Sequence, residues 1–294
     1  MTTHKRRVPC DRIVTAVGDR RRAVLDVIRR ATHQISLSMY RCDDEEILTS
    51  LTEATARGVT IDALVTSRAK GGQSRIDALK RALEQTGASV HAYPDPVVKY
   101  HAKYLIADDG PAVVASLNFT RKCFSRTSDA LVVTYDPAVV SGLQRLMSAD
   151  RRGQTLPDAI SPRLIIGPER ARAEFKALIG RARRSVRLID PKLSDADLLR
   201  LLDARRTKGL TVEIHGASKV GGLKSHGKIL LIDDAIAVVG SVALAAPSLD
   251  LRREVAIMVD EPTAVADVRR VFKMVAAPTV GRAGAADAAG WMQC

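Results

Sequence analysis

The chain has 294 residues, 46% hydrophobic and 27% charged, a balance that excludes a disordered polymer and leaves room for one large core or two modest ones. Its 46 Lys and Arg against 33 Asp and Glu give a formal charge of +13, a field that attracts polyanions such as nucleic acid or an anionic lipid surface, while 3% aromatics disfavours a single-strand binder built on stacking platforms. The longest apolar runs, such as AIAVVGSVALAA from Ala235, fall short of the roughly 20 residues of a membrane span, and no secretory apolar region follows the basic N-terminus, so no transmembrane segment and a cytoplasmic address are expected.

In chain order, GDRRRAVLDVIRR places Ala23, Val24, Val27 and Ile28 on one side of a helix and its arginines on the other, as a solvated face or a nucleic-acid patch. ISLSMY from Ile35 is a strand, EEILTSLTEATARG an amphipathic helix ending in glycine, and VTIDALV a returning strand, the order of a parallel crossover. RAKGGQ, with Lys70, Gly71 and Gly72, reads as a loop. SRIDALKRALEQTGASVHAY then spaces Ile76, Leu79, Ala82 and Leu83 as a helix with Gly87 as its stop. KYLIADD and AVVAS are strands joined by a turn, DALVVTY is a closing strand and VVSGLQRLMSAD a packing helix. RRGQTLPDAISP, from Arg151 to Pro162, is the expected linker. SVRLID, ADLLRLLDARRTKG, LTVEIHG, the loop SKVGGLK with Lys219, Gly221 and Gly222, KILLIDD, AVVGS, EVAIMVD and AVADVRRVFKMVAA then follow, before the aperiodic TVGRAGAADAAGWMQC.

The second series repeats the first. His101, Lys103, Asp108, Ser116 and Asp129 fall on His226, Lys228, Asp233, Ser241 and Glu254 at an offset of 125, whereas Gly58 falls on Gly209 at 151. The first half therefore holds 26 extra residues between Gly58 and His101, which the SRIDALKRALE helix fills. The expected fold class is α/β, with two tandem pseudo-symmetric sandwich halves of mixed β-sheet flanked by helices, over residues 1–150 and 163–277, joined by 151–162 and followed by a loose tail over 278–294. Cys10, Cys42, Cys123 and Cys294 are too scattered for a zinc site or a disulfide framework and read as reduced thiols; His4, His33, His91 and His215 lack repeated context and read as surface or packing residues.

His-x-Lys on a strand puts an imidazole and an ammonium on one face, a poor core pair but a good phosphate site. Lys103 and Lys228 would neutralise nonbridging oxygens, Asn118 would add hydrogen bonds, and Ser116 and Ser241 are further substrate-binding candidates. His101 and His226 would divide the covalent work, one as nucleophile and one as acid, if a two-fold axis brings them to one phosphodiester. A carboxylate at Asp129 or Glu254 would hold each imidazole in its tautomer.

The doubled H-x-K-x4-D pattern, each copy followed by Ser-x-Asn or its relic and then an acidic residue, resembles the phospholipase D superfamily over nearly the whole chain. That resemblance implies a mixed-sheet sandwich in each half, one active site between the halves, a covalent phosphohistidine and no metal or other cofactor. It makes His101 the nucleophile, His226 the acid, Asp129 and Glu254 the histidine partners, and Asp108 and Asp233 scaffold residues. The second half departs from it. Gly240-Ser241-Val242-Ala243 puts Ala243 where the pattern has Asn, and one such donor is worth about 10²–10³ in rate. The expected activity is a metal-independent phosphodiesterase on a nucleic-acid backbone, with phospholipid head-group hydrolysis or phosphatidyl transfer as the second reading and a non-catalytic polyanion-binding module as the third. Both site halves lie in one chain, so a monomer suffices.

Overall fold

A computed structural model of the chain describes residues 11–68, 72–217 and 219–276; the basic start, Lys70, Gly71 and the 278–294 tail lie outside the described residues. The first half contains β1 (Asp11–Val14), α1 (Val17–Arg30), β2 (Gln34–Met39), α2 (Glu45–Ala56), β3 (Thr60–Val65), α3 (Gln73–Glu84), β4 (Ser89–Ala92), β5 (Lys99–Tyr100), β6 (Tyr104–Ala107), β7 (Ala112–Ala115), α4 (Arg121–Ser125), β8 (Thr127–Ser128), β9 (Leu131–Thr134) and α5 (Pro137–Arg152). The second contains β10 (Leu164–Gly167), α6 (Ala171–Arg181), β11 (Ser185–Ile189), α7 (Ala196–Thr207), β12 (Thr211–His215), β13 (Lys224–Ser225), β14 (Ile229–Ile232), β15 (Ile236–Gly240), α8 (Ala246–Asp250), β16 (Arg252–Val259) and α9 (Pro262–Ala276). Helix α5 runs two residues into the expected linker and stops at Gly153, whose φ of 65° a side chain would resist.

Each half is a mixed sheet. The first has the order β1-β9-β7-β6-β2-β3-β4 and the second β10-β16-β15-β14-β11-β12. Pairing within these orders is parallel only along β2-β3-β4 and between β11 and β12, where helices make the crossovers, and antiparallel elsewhere. The repeat extends to the caps: Asp44 accepts from the Ile47 N–H at the start of α2, and Asp195 from that of Leu198 at the start of α7. The extra helix α3 feeds β4, which has no counterpart beyond β12.

The central strands read as unbroken apolar runs because both of their faces are covered. On β7, Val113 packs with Val24, Ile28 and Leu51 under the outer helices, while its neighbour Val114 faces the other half. On β15, Val238 joins Phe175, Ile179 and Leu198, and Val239 faces inward. Tyr104, Val132, Leu231, Val255 and residues of α5 and α9 such as Leu143, Val268 and Phe272 form a core common to both sheets. Arg253, 3% exposed, bridges the halves there through Asp150 at 2.8 Å and Glu169 at 2.6 and 2.8 Å.

Two short pairings cross between the halves. Lys99 and Tyr100 of β5 run parallel to Arg252 and Arg253 of β16, and Lys224 and Ser225 of β13 run parallel to Thr127 and Ser128 of β8. The His101 N–H donates to the Arg253 carbonyl at 2.9 Å, and the Gly227 N–H to the Ser128 carbonyl at 2.8 Å. A Cβ on Gly227 would lie 2.3 Å from that same oxygen, so only glycine admits this approach.

Asp108 and Asp233 sit in the turns after β6 and β14 at φ of 49° and 54°. The Asp108 carboxylate accepts the N–H groups of Thr32, His33 and Gln34 at 2.8–2.9 Å, and Asp233 does the same for Arg183, Arg184 and Ser185 at 2.7–2.9 Å. Each motif aspartate thus fixes the entry to the first strand of its crossover, away from the histidines. Burial pushes the Asp108 carboxyl up, but the N–H groups outweigh it and hold it at about 2 against an ordinary 3.8. Asp108→Ala should lower stability by about 1–3 kcal/mol at neutral pH by stranding three donors. Because the folded-state value is depressed, the stabilisation is complete above the ordinary value and fades as pH falls towards 2, so urea midpoints of wild type and variant should converge on acidification.

Candidate active site

The crossed pairings carry each motif histidine to a carboxylate of the opposite half. Nδ1 of His101 lies 3.0 Å from Oε1 of Glu254, and Nδ1 of His226 lies 3.0 Å from both oxygens of Asp129. Both carboxylates are wholly buried. Nδ1 of His101 lies also 3.2 Å from the Lys103 ammonium, and with Nδ1 so engaged each ring has Nε2 left for other partners.

The two carboxylates are held differently. Asp129 accepts from the Ser116 hydroxyl at 2.7 Å and from the Thr127 hydroxyl at 2.5 Å. Burial raises its pKa, but His226, Lys228 and these donors overcome that and hold it at about 2. Glu254 has no hydrogen-bond donor on either oxygen among the described residues, and burial, against the pull of Lys103 and Lys228, pushes it up to about 7.

The lysines turn back on their own motifs: the ammonium of Lys103 donates to the His101 carbonyl at 2.7 Å and that of Lys228 to the His226 carbonyl at 2.7 Å. Burial, joined by the charges of Lys103, Lys228, Lys192 and Arg252, holds His101 well below the usual imidazole range and therefore neutral at neutral pH. Burial likewise holds Lys103 low, partly offset by Glu254. Lys228 acts on both His101 and Asp129, so the two halves form one electrostatic site.

Asn118 is 7% exposed with its amide oxygen unpaired among the described residues, and it lines an open groove beside His226. Ser116 and Ser241 lie elsewhere than expected. Both are fully buried; besides its bond to Asp129, Ser116 pairs with the backbone of Ala130, and Ser241 pairs with the backbone of Val255. Their hydroxyls are committed behind the site, which corrects their reading as substrate contacts. Ala243 is also buried, and its N–H donates to the Ser248 hydroxyl at 2.9 Å.

Five residues near the site escaped the sequence reading. The Tyr40 ring centroid lies 4.6 Å from that of His101, and the ammonium groups of Lys99 and Lys103 stand 5.3 and 5.5 Å from it. Arg41 and Lys192 follow the ends of β2 and β11 at corresponding places; the offset of 151 aligns them and was the available signal. Arg252, 3.7 Å from Glu254, occupies the place of Thr127 and so leaves no trace in the repeat. Sequence spacing also hid Cys123, whose sulfur lies within 4.8 Å of ligand atoms of Asp129 and His226, a grouping able to approach a cation. The Asp129–His226 hydrogen bond already occupies two of its members.

The family model described as "Cardiolipin synthase, PLD-like domain" matches residues 24–151 and 217–276, more than half of the chain. The chain belongs to the phospholipase D-like family. Its fold is shared with a polyphosphate kinase from Porphyromonas gingivalis, at 18% identity and a TM-score of 0.72 over 90% of this chain and 46% of that one. It is shared also with a phosphatidylserine synthase from Haemophilus influenzae Rd KW20, at 11% identity and a TM-score of 0.71 over 92% of this chain and 86% of that one. The phospholipase D-like chain thus spans under half the length of the kinase, and these identities speak for fold alone. No curated protein sequence matches it.

The unequal carboxylates of this phospholipase D-like site have opposite linkage. Glu254 binds its proton more tightly folded than unfolded, so its contribution to stability is greatest below the ordinary 4.5 and is lost as pH rises through about 7. Glu254→Gln should flatten the decline in urea midpoint between pH 5 and 8. Asp129→Asn should leave that slope in place, because Asp129 titrates near 2.

Proposed function

We propose that the chain catalyses metal-independent phosphodiester transfer through a covalent phosphohistidine, with one histidine from each half. The crosswise pairing of His101 with Glu254 and His226 with Asp129 carries this reading. Neutral His101 attacks phosphorus through Nε2, and Glu254 takes up the positive charge that builds at Nδ1. The bond from phosphorus to the leaving oxygen breaks as that oxygen receives the Nε2 proton of His226. An ionised Asp129 beside Nδ1 suits a ring that must carry a proton on both nitrogens. In the second step His226 removes a proton from water or an alcohol, whose oxygen attacks phosphorus and releases His101.

Lys103, Lys228 and Asn118 are assigned to the nonbridging oxygens. A diester anion among these cations restores the proton affinity that burial takes from Lys103. Lys192 and Arg252 stand in the half where Ala243 replaces the amide donor, which favours turnover over a purely binding role. The favoured substrate is a nucleic-acid backbone, in keeping with the charge of +13. Phosphatidyl transfer is the second reading, and what favours it is the description of the matching family model as a cardiolipin synthase domain.

Hydrolysis of bis(p-nitrophenyl) phosphate in EDTA is the primary test. His101→Ala should lose about 10⁴-fold or more in kcat. His226→Ala, relieved of acid catalysis by the good leaving group, should accumulate an acid-labile phosphoenzyme. A requirement for added metal, or the same phosphoenzyme in the His101→Ala variant, would defeat the mechanism. DNA, RNA and phospholipid vesicles assayed side by side in EDTA rank the substrates.

A further inference from the structure

The duplication built two similar catalytic cradles but two different rims. Beside His226 lies an open groove of about 1240 Å³, larger than the ~300–1,000 Å³ typical of a single small-molecule site. Arg121, Lys122 and Arg126 from the α4 segment line it, facing Lys224 of the second half. All four are exposed, and none forms an ion pair among the described residues. Large aliphatic side chains, Phe, Tyr and Trp are missing from the lining, which elsewhere includes Asn118, Thr120, Ser125, Arg21, Arg41 and one carboxylate, Asp43.

At the offset of 125, the corresponding residues beside His101 are Ala246, Pro247, Leu251 and Lys99. Leu251 is 53% exposed, Val97, two residues before Lys99, is 69% exposed, and Asp250 of α8 is engaged by Arg172 at 2.6 Å. The backbone link from Lys99 N–H to the Leu251 carbonyl at 3.0 Å shows that this apolar rim adjoins the strand leading into His101. At these four places one flank thus offers four cations without ion pairs, and the other a single cation, Lys99, among apolar and small side chains.

We propose that the α4 groove binds the phosphates of a single nucleic-acid strand on one side of the scissile diester only, the side next to His226. The inference rests on the phosphodiester reading above and adds the direction from which substrate is gripped. Recognition is through the backbone, since no Phe, Tyr or Trp lines the groove to stack a base. The occupant is a strand rather than a lipid because this flank supplies repeated cations and no surface for acyl chains.

Binding of a fluorescein-labelled 12-nucleotide single strand to the full chain in EDTA provides the test, with Arg121→Ala/Lys122→Ala/Arg126→Ala set against Arg29→Ala/Arg30→Ala/Arg75→Ala, which removes equal charge from α1 and α3. The groove variant should lose about tenfold or more in affinity and reduce the slope of log K against log salt by about 2, whereas the control variant should move little. Turnover of bis(p-nitrophenyl) phosphate should stay within about twofold in both. On cleaved strands, uncharged methylphosphonates on one side of the cut should raise KM about tenfold and on the other side leave it unchanged.

Equal losses in the two triple variants would reduce the groove to a general field and overturn the proposal, as would equal methylphosphonate effects on both sides. Loss of binding to phosphatidylglycerol vesicles with strand binding unmoved would assign the groove to lipid and also overturn it. A wild-type chain inert towards every diester would sink the catalytic reading instead, and strand affinity would still judge the groove.

Discussion

Two parallel strand contacts of two residues each, β5 with β16 and β13 with β8, are what the site depends on. They are short because a strand need only be paired at the point where it delivers its histidine. By tying the His101 segment to the strand that bears Glu254, and the His226 segment to the strand that Asp129 directly follows, they place each imidazole on a carboxylate of the opposite half. Neither motif histidine is paired with a carboxylate of its own half. Assembly of the two sheets around their common core is therefore also assembly of the chemistry, and the buried Arg253, which is in register with Tyr100 in one of these contacts and ion-paired to Asp150 of α5, links the two directly.

Duplication produced matching backbones with unequal electrostatics. Around His101 the site is dry and cationic, with Lys103, Lys228, Lys192 and Arg252 opposing a charge on the ring. Around His226 it is more open, with 32% of the side chain exposed against 13% for His101, and its carboxylate partner is secured in the ionised form by two hydroxyls. Small substitutions produce this divergence. Thr127 becomes Arg252, Asn118 becomes Ala243, and Cys123 becomes Ser248. A pair of identical rings can in this way take unlike roles in one reaction, because protonation is decided by surroundings rather than by residue type.

Much of the fold was legible in sequence. The apolar runs of β6, β7, β14 and β15, the glycine stops after α2 and α7, and the change of offset that exposes α3 all carry local signals that survive without tertiary context. Most of the elements that went unread are short, the 11-residue α6 being the exception. β5, β8 and β13 have two residues each, α4 and α8 five, and such lengths carry no periodicity to detect. β1 and β10 open the halves with four residues each and are edge partners whose identity depends on β9 and β16 being in place. The doubled His-x-Lys, Asp129 and Glu254 were visible as repeated polar positions within apolar surroundings. Ser116 and Ser241 were equally visible, yet their repetition reflects support of the strand behind the site, since a repeat records a shared position without revealing which way its hydroxyl is spent.

By itself the sequence determined the duplication, the α/β order of each unit and the residue types available for phosphate chemistry, because hydrophobic period and motif spacing are properties of the chain. Tertiary structure alone decided that the carboxylates pair crosswise, that Tyr40, Lys192 and Arg252 gather about His101, and that the exposed basic side chains of the α4 segment line the groove beside His226. Those outcomes are set by contacts between residues about 60 to 150 positions apart, where burial and neighbouring charge act through space and no local pattern records them.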